Sequence, residues 1–145
     1  MRIQDYQFKK SERIVSQKQI DKLFGGDGSH SKAAFPVRVV YNIDERKESQ
    51  PSAQVLISVP KRRFRHAVDR NRVKRQIREA YRKNKQLLVG GIPEGKKVSV
   101  AFVWLSDKHM PSQAIEDKVK SLLTHLAKEL LKNQSQFHED CSALP

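Results

Sequence analysis

Apolar residues along this chain fall into short runs whose spacing changes from one run to the next. In residues 16–24, SQKQIDKLF, Ile20, Leu23 and Phe24 recur at i, i+3 and i+4. That spacing predicts a short amphipathic helix with Ser16 as N-cap and a stop at Gly25-Gly26. Residues 25–32, GGDGSHSK, read as a flexible loop. Residues 35–43, FPVRVVYNI, predict a strand rich in β-branched residues. Alternation puts Val37, Val39 and Tyr41 on one of its faces and Arg38 and Val40 on the other. Residues 44–52 form a polar turn or hairpin loop, and residues 53–59, AQVLISV, a second strand closed by Pro60. After a basic stretch and a Gly/Pro loop at 90–97, residues 98–104, VSVAFVW, form a third strand. Its near-continuous apolarity predicts burial on both faces. A last helix begins near Ser112. Val119, Leu122, Leu123, Leu126 and Leu130 give it a core-facing stripe.

The resulting order is α-β-β-(β)-α-β-α, the bracket leaving room for one more strand before the basic helix. It predicts an α+β two-layer sandwich. The strands on either side of the basic helix enter one sheet as a β-α-β unit. Length suits a single domain over residues 1–132, and the patternless segment 133–145 is expected to be an unstructured tail.

Charge changes the picture. The chain carries a net +13. Between Lys61 and Lys85, twelve of twenty-five residues are Lys or Arg, against two acids, Asp69 and Glu79. About three quarters of the net charge therefore sits in one element, whose natural partner is a polyanion, above all nucleic acid. The lone Cys141 forms no intrachain disulfide and has no zinc-site companion. No apolar run approaches the ~20 residues that span a bilayer, and the start MRIQDYQFKK lacks a secretory apolar core. A cytoplasmic protein without a membrane role is expected.

Placed 100° apart around a helix axis, Val73, Ile77, Ala80, Tyr81 and Asn84 occupy one arc of about a hundred degrees. Asn71, Arg72, Lys74, Arg75, Arg78, Arg82, Lys83 and Lys85 spread over the opposite side. One side is fit to seat on a sheet and the other to meet phosphate. Arg70 projects near the apolar arc but lies in the first turn, where it can reach past the helix end. Asp69 and His66 are both fair N-caps. Arg binds phosphate with a planar fork of donors, and Asn71 adds a group that both donates and accepts.

The run Ala67-Val-Asp-Arg-Asn-Arg-Val-Lys-Arg-Gln-Ile-Arg-Glu-Ala-Tyr81, preceded by Ser58-Val-Pro-Lys-Arg, resembles the signature of the bacterial ribonuclease P protein subunit. The likeness extends more loosely over residues 11–132. It implies a protein that assists a catalytic RNA in magnesium-dependent removal of the 5′ leader from precursor tRNA. Magnesium would be held mainly by the RNA, with one protein copy per RNA. It also implies a left-handed β-α-β crossover. Carried over by motif, Lys61, Arg62, Arg70, Asn71, Arg72, Lys74, Arg75 and Arg78 would face the catalytic RNA. A cleft between the first helix and the sheet would hold the leader, against Ile20, Phe24, Val39 and Tyr41. Ile20 stands where the family often has an aromatic residue. Stacking therefore falls to Phe24 and Tyr41, at ~1–3 kcal/mol per base.

No constellation for independent chemistry is legible. The histidines His30, His66, His109, His125 and His138 are scattered, and GGDG lacks the Lys-Ser/Thr of a phosphate-binding loop. Asp44, Glu45, Asp69 and Glu79 form no evident metal cluster, so neither a catalytic residue nor a metal ligand is assigned to the chain. A general structured-RNA-binding or ribosome-associated protein is the alternative. A DNA-binding helix protein and an RNA-free nuclease are more distant ones.

Overall fold

A computed structural model describes residues 12–14, 17–25, 29–45, 51–92 and 95–142, with side chains described through residue 132. The predicted cap Ser16, most of the 44–52 loop, His138 and Cys141 lie outside the described side chains. The elements are α1 (Gln17–Gly25), β1 (His30–Ala34), β2 (Val37–Glu45), β3 (Ala53–Ser58), α2 (Ala67–Asn84), the short α3 (Gln86–Val89), β4 (Lys96–Trp104) and α4 (Ser112–Ser142). The bracketed extra strand is β1. It covers part of the stretch read as a loop, because HSKAA has neither alternation nor β-branched residues. It is an exposed edge strand, antiparallel to β2 across a tight turn at Phe35-Pro36. The backbone of α4 continues through residues 133–142, where the end of the apolar stripe predicts a tail.

The sheet order is β1-β2-β4-β3. β4 lies between β2, to which it is antiparallel, and β3, to which it is parallel. β2 and β3 are therefore not a hairpin, and the 44–52 connection spans a strand. The expected β-α-β unit is β3-α2-β4. Its central strand is the most apolar because both of its faces are covered: Val98, Val100, Ala101, Phe102 and Trp104 are all fully buried.

One face of the sheet carries the main core. Val37, Val39 and Tyr41 of β2 join Val98, Val100, Phe102 and Trp104 of β4 beneath Val73, Ile77 and Tyr81 of α2 and the α4 stripe from Ile115 to Leu130. The other face holds a small cluster of Ile14, Leu23, Val40 and Ala101, with Ile20 and Leu56 at its margin. Here α1 lies on the sheet. The layers are thus α2 and α4, the sheet, and α1 over part of the far side.

Lys85, placed by helical angle on the cationic side, is instead buried. Its Nζ lies 3.2 Å from Glu12 Oε1. The helix ends at Asn84, so the angular extrapolation fails one residue later. Glu12 belongs to a segment that runs along β3, with Ile14 N–H donating to the Val55 carbonyl at 3.0 Å. Burial beside Glu12 also pushes the Tyr81 phenol well above its ordinary range.

Candidate nucleic-acid interface

The seat of α2 is as predicted: Val73, Ile77, Ala80 and Tyr81 are buried. Asn84 is half-buried and donates from Nδ2 to the Ala80 carbonyl at 2.8 Å and to Glu116 at 3.3 Å. On the outer side Asn71, Arg72, Arg75 and Lys83 are exposed, and Lys74, Arg78 and Arg82 are half-exposed. The side chains of Asn71, Arg72, Lys74 and Arg75 have no protein partner among the described residues. Arg78 Nε is buried without a hydrogen-bond partner. The exposed guanidinium groups of Arg72 and Arg75 remain available to an external acceptor.

The acid on this side is already occupied. Glu79 accepts from Arg82 Nε and Nη2, the latter at 2.9 Å. This hydrogen bond, with the nearby charges of Arg82, Lys83 and Arg78, holds the Glu79 carboxyl below its usual range.

The N-terminal turn is built differently from the sequence expectation. His66 occupies the N-cap position in an extended conformation but makes no side-chain cap bond. Asp69 does not cap. It lies in the first turn, and its carboxylate meets His109 Nε2 at 3.1 Å. Arg70 does reach past the helix end. Its Nη1 donates to the carbonyls of Phe64 and Arg65 at 2.9 and 3.0 Å, clasping the preceding turn. Lys61 and Arg62 are exposed in that turn, which is closed by Arg63 N–H on the Pro60 carbonyl. The structure therefore brings the eight predicted cationic and amide positions onto one continuous stretch, with Arg70 serving the backbone.

The four residues assigned to a leader cleft are not brought together. Phe24 is 51% exposed at the end of α1, and Ile20 is half-buried against Val40 and Ala101. Val39 and Tyr41 lie on the opposite face of β2, in the core beneath α4, 0% and 5% exposed. Burial, with the Glu129 charge adding, raises the Tyr41 phenol. A one-residue shift exchanges the faces of a strand. The α1 side carries Arg38, Val40 and Asn42, paired across the ladder with Val103, Ala101 and Ser99. Arg38 is exposed, and Asn42 Oδ1 is buried without a partner. The signal for Arg38 was present in the alternation that set it beside Val40.

The carboxylates considered as metal ligands have basic partners: Asp44 with Lys22, Glu45 with Lys96, Asp69 with His109 and Glu79 with Arg82. Among the described residues no group of three or more His, Cys, Asp or Glu could hold a metal ion. Nor is any described helix long and apolar enough to cross a membrane.

Fold and surface together define a basic α+β protein whose helix α2 seats one side in the core and turns a cationic side outward. The Ribonuclease P family profile matches residues 8–127. The chain is 38% identical over 119 residues to the ribonuclease P protein component of Porphyromonas gingivalis, covering 81% of this chain and 85% of that one. It is 32% identical to that of Chlorobaculum tepidum, covering 79% and 77%. Its fold matches the solved ribonuclease P protein of Staphylococcus aureus with a TM-score of 0.60 at 21% identity, covering 77% of this chain and 92% of that one. The Thermotoga maritima protein matches at 0.58 and 22%, covering 79% and 96%. The chain belongs to the ribonuclease P protein family, the bacterial protein component of a tRNA-processing endoribonuclease.

Proposed function

We propose that this protein binds the catalytic RNA of ribonuclease P through the outer side of α2 and the turn before it. In this reading it holds the 5′ leader of precursor tRNA on the α1 side of the sheet. The observation that carries the reading is the division of α2. One side is sealed into the core, while Asn71, Arg72, Lys74 and Arg75 on the other have no protein partner among the described residues. Lys61, Arg62 and Arg78 extend this cationic stretch, and Arg70 shapes its turn. Residues 1–132 act as one RNA-binding unit, one copy per RNA, in the cytoplasm.

The leader lies against Phe24, Ile20 and Arg38. Phe24 offers a stacking face and Arg38 a phosphate fork. Val39 and Tyr41 are left to the core. Hydrolysis belongs to the RNA, and the magnesium it needs is held mainly there. The protein supplies positive charge that lets the RNA and its substrate approach at lower magnesium.

The test is reconstitution. Purified protein added to its cognate catalytic RNA at low magnesium should restore leader cleavage, and Arg72→Ala with Arg75→Ala should weaken RNA binding. The salt slope should fall by ~0.7–0.9 per lost phosphate contact. Absence of stimulation at every salt concentration refutes the reading.

A further inference from the structure

The segment joining β4 to α4, residues 105–111, reaches across the molecule to the start of α2. Asp107 pairs with Arg63 Nη1 at 3.3 Å. His109 Nε2 meets Asp69 Oδ1 at 3.1 Å. The His109 ring stacks on Phe64, with centroids 4.6 Å apart and planes 19° from parallel. Gln76 Nε2 donates to the Met110 carbonyl at 3.1 Å and to Ser112 Oγ at 3.0 Å. One segment thus grips residues 63, 64, 69 and 76, on both sides of the helix start.

This grip supplies what the helix start lacks. His66 gives no side-chain cap, so no capping bond sets the angle between the 61–65 turn and α2. The Arg70 clasp and the stack of His109 on Phe64 together fix that turn. The candidate phosphate ligands flank the clamp, Lys61 and Arg62 before it and Asn71, Arg72 and Arg75 after it. A rigid connection between the two sets lets them meet successive phosphates without first losing conformational freedom.

The second effect is electrostatic. Asp69 is the acid in the first turn of α2, and its side chain is 40% exposed. An unengaged carboxylate there repels phosphate and competes for neighbouring guanidinium groups. Because the carboxylate only accepts, Nε2 carries the hydrogen and donates it, which draws the acid toward the loop.

We propose that His109 is a positioning residue for RNA binding: it locks the 61–65 turn to α2 and keeps the Asp69 carboxylate from the phosphate-binding face. The proposal rests on the reading of α2 as the RNA face, so the experiment carries Arg72→Ala as a control. Binding to the catalytic RNA is measured over a salt series for His109→Gln and for the parent, His109→Ala, Asp69→Asn and His109→Ala with Asp69→Asn, the four corners of a double-mutant cycle. The temperature is chosen so that circular dichroism shows each variant folded.

His109→Ala should bind about tenfold more weakly, with a salt slope lower by ~0.7–0.9, one phosphate contact. His109→Gln keeps an N–H donor for Asp69 and should recover most of the loss. Asp69→Asn in the His109→Ala background should recover part of it, a coupling that general destabilisation does not produce. Binding by His109→Ala within about twofold of the parent at an unchanged slope, while Arg72→Ala binds weakly, overturns the proposal alone. If Arg72→Ala is also unaffected, the assignment of α2 to RNA falls with it. Should His109→Ala fail to fold, His109→Gln is compared with His109→Phe, which keeps the ring but not the donor. Equal affinities of those two overturn the role assigned to the Asp69 bond.

Discussion

Glu79 tempers the cationic side of α2, and its chemistry is that of a partly exposed pair. Its side chain is 49% exposed and that of Arg82 35%, so solvent screens much of their attraction and the pair contributes under about 0.5 kcal/mol. The carboxyl is held below its unfolded value by the Arg82 hydrogen bond. Its small stabilisation is therefore present above the ordinary carboxylate range and is lost as acidification passes the lowered value. Glu79→Gln should change the thermal midpoint little at neutral pH. It removes one negative charge from the cationic side, so affinity should rise about two- to fivefold at low salt. Fluorescence titration at two salt concentrations measures this, and weaker binding would show that Glu79 serves the interface. Residues such as Glu79 and Arg75 were legible because a helix's interior angles follow from spacing alone. Lys85 and Asp69 were harder, since each sits at a helix end and turns to a partner distant in sequence.

At the scale of elements, α1 is the least anchored helix among the described ones. Leu23 is its one buried residue, and it seats on Val40 and Ala101 in a cluster far smaller than the core beneath α2 and α4. Leu23→Ala should cost ~2–3 kcal/mol, toward the low end for a buried leucine because a surface helix can settle. Its effect should be local: α1 loosens and discrimination between precursor and mature tRNA falls, while affinity for the catalytic RNA stays near the parent value. Hydrogen exchange on α1 and α2 amides would check this, and equal loss of protection in both helices would contradict it. Element type was largely legible, because α4 carries a helical apolar stripe and β3 and β4 are short apolar runs bounded by turn residues. The orientation of β2 was not. Val37, Val39 and Tyr41 were correctly grouped, yet Val40 is apolar too, and nothing local says which face meets α1 and which meets α4. That choice is made by β4 entering between β2 and β3, a contact between strands more than fifty residues apart. β1 was foreseen only as a bracketed strand without residues, for a related reason: an exposed edge strand is held by its partner's backbone and needs no apolar pattern of its own.

For the molecule as a whole, the sheet separates two surfaces. The cationic side of α2 lies beyond one face, and Phe24, Ile20 and Arg38 lie on or beside the other. A sheet with a helix layer packed on it puts roughly 10 Å or more of close-packed side chains between them. No described side chain is shared by the two sets, so their contributions to substrate binding should be independent. Arg38→Glu should weaken binding of precursor tRNA to the holoenzyme and leave mature tRNA nearly unaffected. Arg72→Ala should weaken assembly with the catalytic RNA for either substrate. Independent sites add to within about 0.5 kcal/mol, whereas groups in one network couple by up to ~3 kcal/mol. The double variant, measured with assembly and substrate binding titrated separately, should therefore show the sum of the two single losses. A coupling well above that limit would mean that one nucleic-acid strand bridges the two surfaces around the β3 edge, where the Lys61–Arg62 turn follows the end of that strand. In that case Lys61→Ala should reduce the coupling, because it removes an exposed cation that a strand passing that edge would meet.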